Sequence, residues 1–124
     1  VARVLAGDTV RGLTKRVHEV YMDDRLRDYI VALVSATRTP REVGLVDLAP
    51  LIAYGASPRA TLAFSEASRA VAFLRGRGYV VPEDVKEIAR DVLRHRILLT
   101  YEAEAEDVTS DTVVDRILER VEVP

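Results

Sequence analysis

An all-α fold, a compact bundle of about five helices around one core, is predicted by three features of the sequence. Apolar residues recur at spacings of three and four along most of the chain, the period of an amphipathic helix. Serine, aspartate and proline stand where such stretches begin, and glycine where one ends. The 124 residues, 48% of them hydrophobic, match the size of one domain and suffice for one core, so residues 1–124 are read as a single unit.

The first helix is expected from Val10, with Val10, Leu13, Val17 and Val20 on one stripe and Asp8 or Thr9 as its N-cap. Gly12 inside it costs about 1 kcal/mol relative to alanine. Asp23 or Asp24 caps the second helix, whose stripe of Leu26, Tyr29, Ile30, Leu33, Val34 and Thr37 is the cleanest in the chain. From Arg38 to Ala56, Pro40, Gly44, Pro50 and Gly55 break the period into a structured connection, with a helical turn or two between Val46 and Tyr54.

Ser57-Pro58 opens a third, long helix, because proline at the first helical position loses no hydrogen bond. Its stripe is Ala63, Ala67, Ala70, Val71 and Leu74, and Gly76 and Gly78 mark its end. Tyr79-Val80-Val81 reads as an extended link. Pro82-Glu83-Asp84 then begins a fourth helix that buries Val85, Ile88, Ala89, Val92 and Leu93 and ends in the basic cluster Arg94-His95-Arg96, where positive charge suits the helix dipole. Leu98 to Tyr101 extends briefly, and a last helix carries Val113, Val114, Ile117, Leu118 and Val121.

Composition excludes several functions. A net charge of -2 with 31% charged residues marks neither a basic nucleic-acid binder nor an acidic disordered tail. The absence of cysteine removes disulfides and thiolate metal sites and fits a cytoplasmic protein. No apolar run approaches the ~20 residues that span a bilayer, so membrane insertion is not expected. The chain starts at Val1 with no signal-peptide core, and it is read as a segment cut from a longer protein.

Special residues converge at one place, Gly55-Ala56-Ser57-Pro58-Arg59. A helix N-terminus offers free N–H groups and the positive end of its dipole to an anion, and a guanidinium adds a planar fork that matches phosphate oxygens. A capped helix whose arginine simply points into solvent explains the same residues, and the pattern alone leaves both readings open.

The string GASPRA before an alanine-rich helix, then LRGRGYVVPEDV, then VLRHRILLTYEAEAE, resembles the lid domain of MoxR-family AAA+ ATPases over essentially the whole chain. Three motifs in the family's order and spacing make the resemblance specific. GASPRA is similar to the sensor-2 motif, which implies a cofactor-binding segment Gly55, Ala56, Ser57, Pro58 and Arg59, with Arg59 as the catalytic contact to the γ-phosphate of ATP. Resemblance further implies ATP and Mg2+ bound by the full-length protein, a P-loop domain joined to this lid, a ring that is often a hexamer, and partners containing von Willebrand A domains. Two features depart from the family's broader pattern: a longer connection between Arg38 and Gly55, which leaves its conformation open, and Val81 where many lids have serine or threonine, which predicts a weaker helix start.

Missing from the sequence are GxxxxGK followed by serine or threonine and a strand ending in paired acidic residues, so the segment by itself is not expected to hydrolyse ATP. His18 and His95 lie apart with no second ligand at metal spacing, and no metal site is assigned. Glu102, Glu104 and Glu106 would share one face if extended and could attract a cation, although a solvated acidic edge is the better account of them. Tyr29 and Tyr54 could enclose an adenine or belong to the core. Two alternatives to the MoxR lid remain: the lid of another AAA+ branch, such as a chelatase or helicase, and a stand-alone helical module that binds protein or DNA through Arg69, Arg75 and Arg77.

Overall fold

The computed structural model describes all 124 residues. Helices α1 (Gly7–His18), α2 (Asp24–Arg38), α3 (Ala60–Leu74), α4 (Pro82–Leu93), α5 (Tyr101–Ala105) and α6 (Ser110–Arg120) carry the fold, with strands β1 (Ile52–Tyr54) and β2 (Leu98–Leu99) and two 3-10 segments, Pro40–Val43 and Val46–Leu51. One cluster of 26 buried hydrophobic residues, with Phe64, Ile30, Leu33, Leu48, Leu93 and Ile117 among its largest, joins α2 to α6 and the segment Val46–Leu51, and Val43, Ile52 and Leu99 pack against it from Pro40–Val43, β1 and β2. No helix is long and apolar enough to cross a membrane.

The expected stripes of α2, α4 and α6 are the buried faces, except that Ile88 and Leu118 are only partly covered. Asp23 caps α2, its carboxylate accepting the Arg25 N–H at 2.9 Å. α4 and α6 lie together, held at their surface by two forked ion pairs, Arg90 with Asp115 and Arg94 with Asp111. Arg94 to Arg96 thus follow α4 rather than forming its last turn, and Arg94 serves α6 as well as the helix end.

Elsewhere the expectations need correction. α1 begins at Gly7, before Asp8 and Thr9, with Ala6 at the N-cap and no side-chain cap. None of its residues is buried, and Val10 and Leu13 face solvent; of the expected stripe Val17 is half-buried and only Val20, just past the helix, joins the core. In α3 the buried positions are Ala60, Phe64, Ser68 and Ala72, one residue on from the alanines expected, and Leu74 is 83% exposed. Phe64 sets this phase, because burying its ring outweighs burying several methyl groups, and the second aromatic of the helix, Phe73, is partly buried against the same core.

The connection after α2 does contain helical turns, followed by β1, which pairs antiparallel with β2 through Ile52 and Leu99, and Tyr54 and Leu98. α6 clamps this connection: Arg116 forks onto Asp47, and Arg120 donates to the Val43 carbonyl at 2.6 Å. Gly44 turns the chain there in the left-handed region at φ 78°, with Arg120 packed where a side chain would be. Glu102, Glu104 and Glu106 fall in and just after the single turn of α5, not on an extended strand, so they do not share one face.

The link Tyr79-Val80-Val81 is extended and bridges to Tyr21, whose N–H reaches the Gly78 carbonyl and whose carbonyl receives the Val80 N–H, both at 2.9 Å. Val81 provides no cap for α4, yet the helix start is not left bare. Asp84 reaches back to the Val81 N–H at 2.8 Å, while Arg77 forks onto the same carboxylate at 2.8 and 2.5 Å. The carboxylate at the third helical position replaces half of the missing capping box.

Candidate functional site

The GASPRA segment is built on the end of α2. Thr37, fully buried, donates its hydroxyl to the Val34 carbonyl at 2.6 Å and accepts the Ala56 N–H at 2.9 Å, so the chain entering α3 is bonded directly to α2. Gly55 makes this approach possible, because a methyl group on it would collide with the Thr37 carbonyl and lie 2.7 Å from the Arg38 nitrogen. Both contacts are to backbone, which cannot swing aside. Gly55→Ala is therefore expected to cost about 2 kcal/mol, the range of overpacking substitutions, read as a lower urea midpoint with unchanged slope.

Ala56 and Ala60 are fully buried and pin the segment at both ends, whereas Ser57, Pro58 and Arg59 are exposed. α3 opens more tightly than Ser57-Pro58 predicts. The Ala60, Thr61 and Leu62 N–H groups bond to the carbonyls of Ser57, Pro58 and Arg59, three residues back, and regular α geometry starts only at Ala60. Ser57 is thus not the N-cap. Arg59 holds that position and makes no side-chain cap, while Thr61 donates to the Pro58 carbonyl at 2.7 Å and stiffens the turn. The N–H groups of Ser57 and Arg59 make no hydrogen bond within the chain.

Arg59 forms no ion pair or side-chain hydrogen bond either. Most arginines of this chain are engaged: those at 75, 77, 90, 94, 116 and 120 all hold carboxylates or carbonyls. A free guanidinium on a rigid, solvent-facing turn with open N–H groups can meet an oxyanion supplied from outside the domain. A cleft of about 300 Å³ reaches the segment at Gly55 and is bounded also by Thr37, Arg38, Arg41, Ile52 and Ala53.

The other sequence candidates separate. Tyr29 is core: it is buried, its hydroxyl has no partner, and burial and then the charge of Glu83 push its pKa up. Tyr54 is exposed on β1. His18 and His95 are exposed and far apart in the chain, and His95 contacts Arg96. The arginines of the DNA-binding alternative are all occupied: Arg69 donates to the Val20 carbonyl at 3.0 Å, Arg75 holds Glu87, and Arg77 holds Asp84 beneath the Tyr79 ring. They form no free basic face. The Arg77 to Asp84 clasp was not foreseen, because its partners belong to different elements and only the bend at Gly76 brings them together.

Comparison with known proteins places this geometry in a family. Residues 47–117 match the family model for the AAA lid domain. Chaperone MoxR1 of Mycobacterium tuberculosis is 43% identical over 95% of this chain and 31% of its own length, and protein MoxR of Paracoccus denitrificans is 37% identical over 80% of the chain and 31% of its length. A solved structure of a candidate ATPase from Cytophaga hutchinsonii superposes with a TM-score of 0.87 at 44% identity, covering 89% of this chain and 33% of that one. The chain thus spans about a third of the length of the curated relatives it matches. With the matched segment taking in the GASPRA turn, α3, α4 and most of α6, the chain belongs to the AAA lid domain family and is homologous to the MoxR proteins.

Proposed function

We propose that residues 1–124 are the helical lid of a cytoplasmic MoxR-type AAA+ ATPase, and that Arg59 is the sensor-2 arginine, contacting the γ-phosphate of ATP held on a separate P-loop domain. The free, rigidly mounted guanidinium of Arg59 carries this reading. ATP between the two domains fixes their relative angle, and loss of the γ-phosphate contact on hydrolysis lets the lid rotate. Gly55, Ala56, Ser57 and Pro58 form the mount, and the Ser57 and Arg59 N–H groups add donors to the same anion.

The carboxylates of this chain form no group that could hold a metal, so Mg2+ would take its ligands from the P-loop domain and the nucleotide. The full-length protein assembles as a homo-oligomeric ring, a hexamer by family likeness, and couples nucleotide state to a chaperone-like action on protein partners, with von Willebrand A domain proteins the first to test. Lacking a phosphate-binding loop, the isolated 124-residue chain is expected to release phosphate from ATP at the buffer rate. A malachite-green assay checks this, and turnover above buffer would contradict it. The role of Arg59 is tested by its alanine variant in the full-length enzyme.

A further inference from the structure

Arg38, Arg41 and Arg59 make no ion pair or side-chain hydrogen bond, in a chain where most other arginines do. All three lie around one junction. Arg38 is the last residue of α2, and its backbone nitrogen is one of the atoms against which Gly55 is packed. Arg59 follows four residues later on the stiff turn, tied back to α2 by the Ala56 to Thr37 hydrogen bond. Arg41 lines the same cleft as Arg38, next in sequence to Glu42, the one acidic side chain lining it. No carboxylate pairs with Arg38.

We propose that Arg38 is a second anion-binding residue of the nucleotide site, sharing with Arg59 the phosphate chain of the bound triphosphate; this rests on the lid reading given above. The two guanidiniums are rooted on one backbone junction and have no carboxylate partner, and an oxyanion between them would accept hydrogen bonds from both and relieve their repulsion. Their backbones are already fixed at that junction, so binding has only the side chains left to order. A structural alternative exists for Arg38, since positive charge at a helix C-terminus is favourable, but that effect stabilises the helix whether or not nucleotide is present.

The test is calorimetric titration of the full-length protein with Mg2+ and adenylyl-imidodiphosphate, with thermal melting of each variant. Arg38→Ala is expected to weaken binding about tenfold, equivalent to about 1.4 kcal/mol, with Arg38→Lys recovering part and Arg41→Ala within about twofold of wild type, all at unchanged melting temperature. If Arg59→Ala weakens binding and Arg38→Ala does not, the role of Arg38 is overturned and the lid reading stands. If neither substitution weakens binding, the role of Arg38 is overturned, and the lid reading is decided separately by the turnover of Arg59→Ala. An equal loss in Arg41→Ala points to diffuse charge and overturns the assignment to Arg38. Weaker binding that tracks a lower melting temperature makes Arg38 a helix-end residue only and overturns it as well.

Discussion

Replacing Arg59 with alanine in the full-length protein is expected to lower ATP turnover about 10²-fold, the cost of removing one preorganised donor from a transition state, or about 2.7 kcal/mol. No ion pair or hydrogen bond is lost, because the exposed Arg59 side chain makes none, so the melting temperature of the lid should not move. Affinity for ADP, which lacks the γ-phosphate, should be nearly unchanged. The loss should fall mainly on kcat, since a contact that strengthens as charge develops on the transferring phosphoryl group stabilises the transition state more than the bound substrate. Lysine at the position should recover part of the rate, having the charge without the fork. Turnover equal to wild type in Arg59→Ala would remove the sensor role.

The second large effect is structural. Asp84 is fully buried and ties three pieces together: the Arg77 guanidinium from the turn after α3, the Val81 N–H at the start of α4, and, at 3.7 Å, Arg75. Asp84→Ala leaves the Val81 N–H and the partly buried Arg77 without their acceptor, and is expected to cost about 3 kcal/mol, near the lower end for breaking a buried pair because Arg77 still reaches water. For a domain of this size that lowers the melting temperature by about 10 °C. Asp84→Asn should fall between, keeping an acceptor but losing the charge.

Acid dependence follows from the same clasp. Burial by itself pushes the Asp84 carboxyl up, but the Arg77 fork, the Val81 N–H and the nearby charges of Arg77 and Arg75 together outweigh it and hold the group below the usual carboxylate value. A lowered folded-state pKa means stability that is fully present above the unfolded value of about 3.9 and is lost as pH falls through the lower folded value. Wild type and Asp84→Ala should therefore differ most near neutral pH and converge below about pH 4 in acid-melting curves. A difference that persists undiminished into acid would show that the clasp is not ionic.

How much of this was legible in the sequence depended on whether the cause was local. α4 and α6 were readable because their apolar stripes keep the 3.6-residue period and their polar faces are unambiguous. α3 was harder: alanine occupies several faces of it, so the period alone does not say which face is buried, and Phe64 decides it through contacts the sequence does not display. α1 has a regular stripe yet buries none of its residues although it lies beside α3, and a stripe cannot reveal how much of it the same domain covers. β1 and β2 are short and 43 or more residues apart, and neither is long enough to show alternation.

The GASPRA turn was readable as a candidate anion-binding helix start, with a plain capped helix as the alternative, because glycine, proline and arginine each have a local reason to be there. Its mount was not. The Thr37 hydroxyl that holds Ala56 comes from a residue assigned simply to the α2 stripe, and the free state of Arg59 is evident only once the partners of the other arginines are known. Val81 shows the converse, a local rule predicting a weak helix start that Asp84 and Arg77 correct from outside the cap position.

The most direct measurement is the distance from the Arg59 guanidinium to the γ-phosphate in a structure of the full-length protein with Mg2+ and a non-hydrolysable ATP analogue. A nitrogen to oxygen separation of about 2.7–3.1 Å, with the lid turned so that Ser57 to Arg59 face the phosphates, is the result predicted. An analogue fully bound on the P-loop domain with Arg59 still in solvent and the γ-phosphate held by other groups would contradict it.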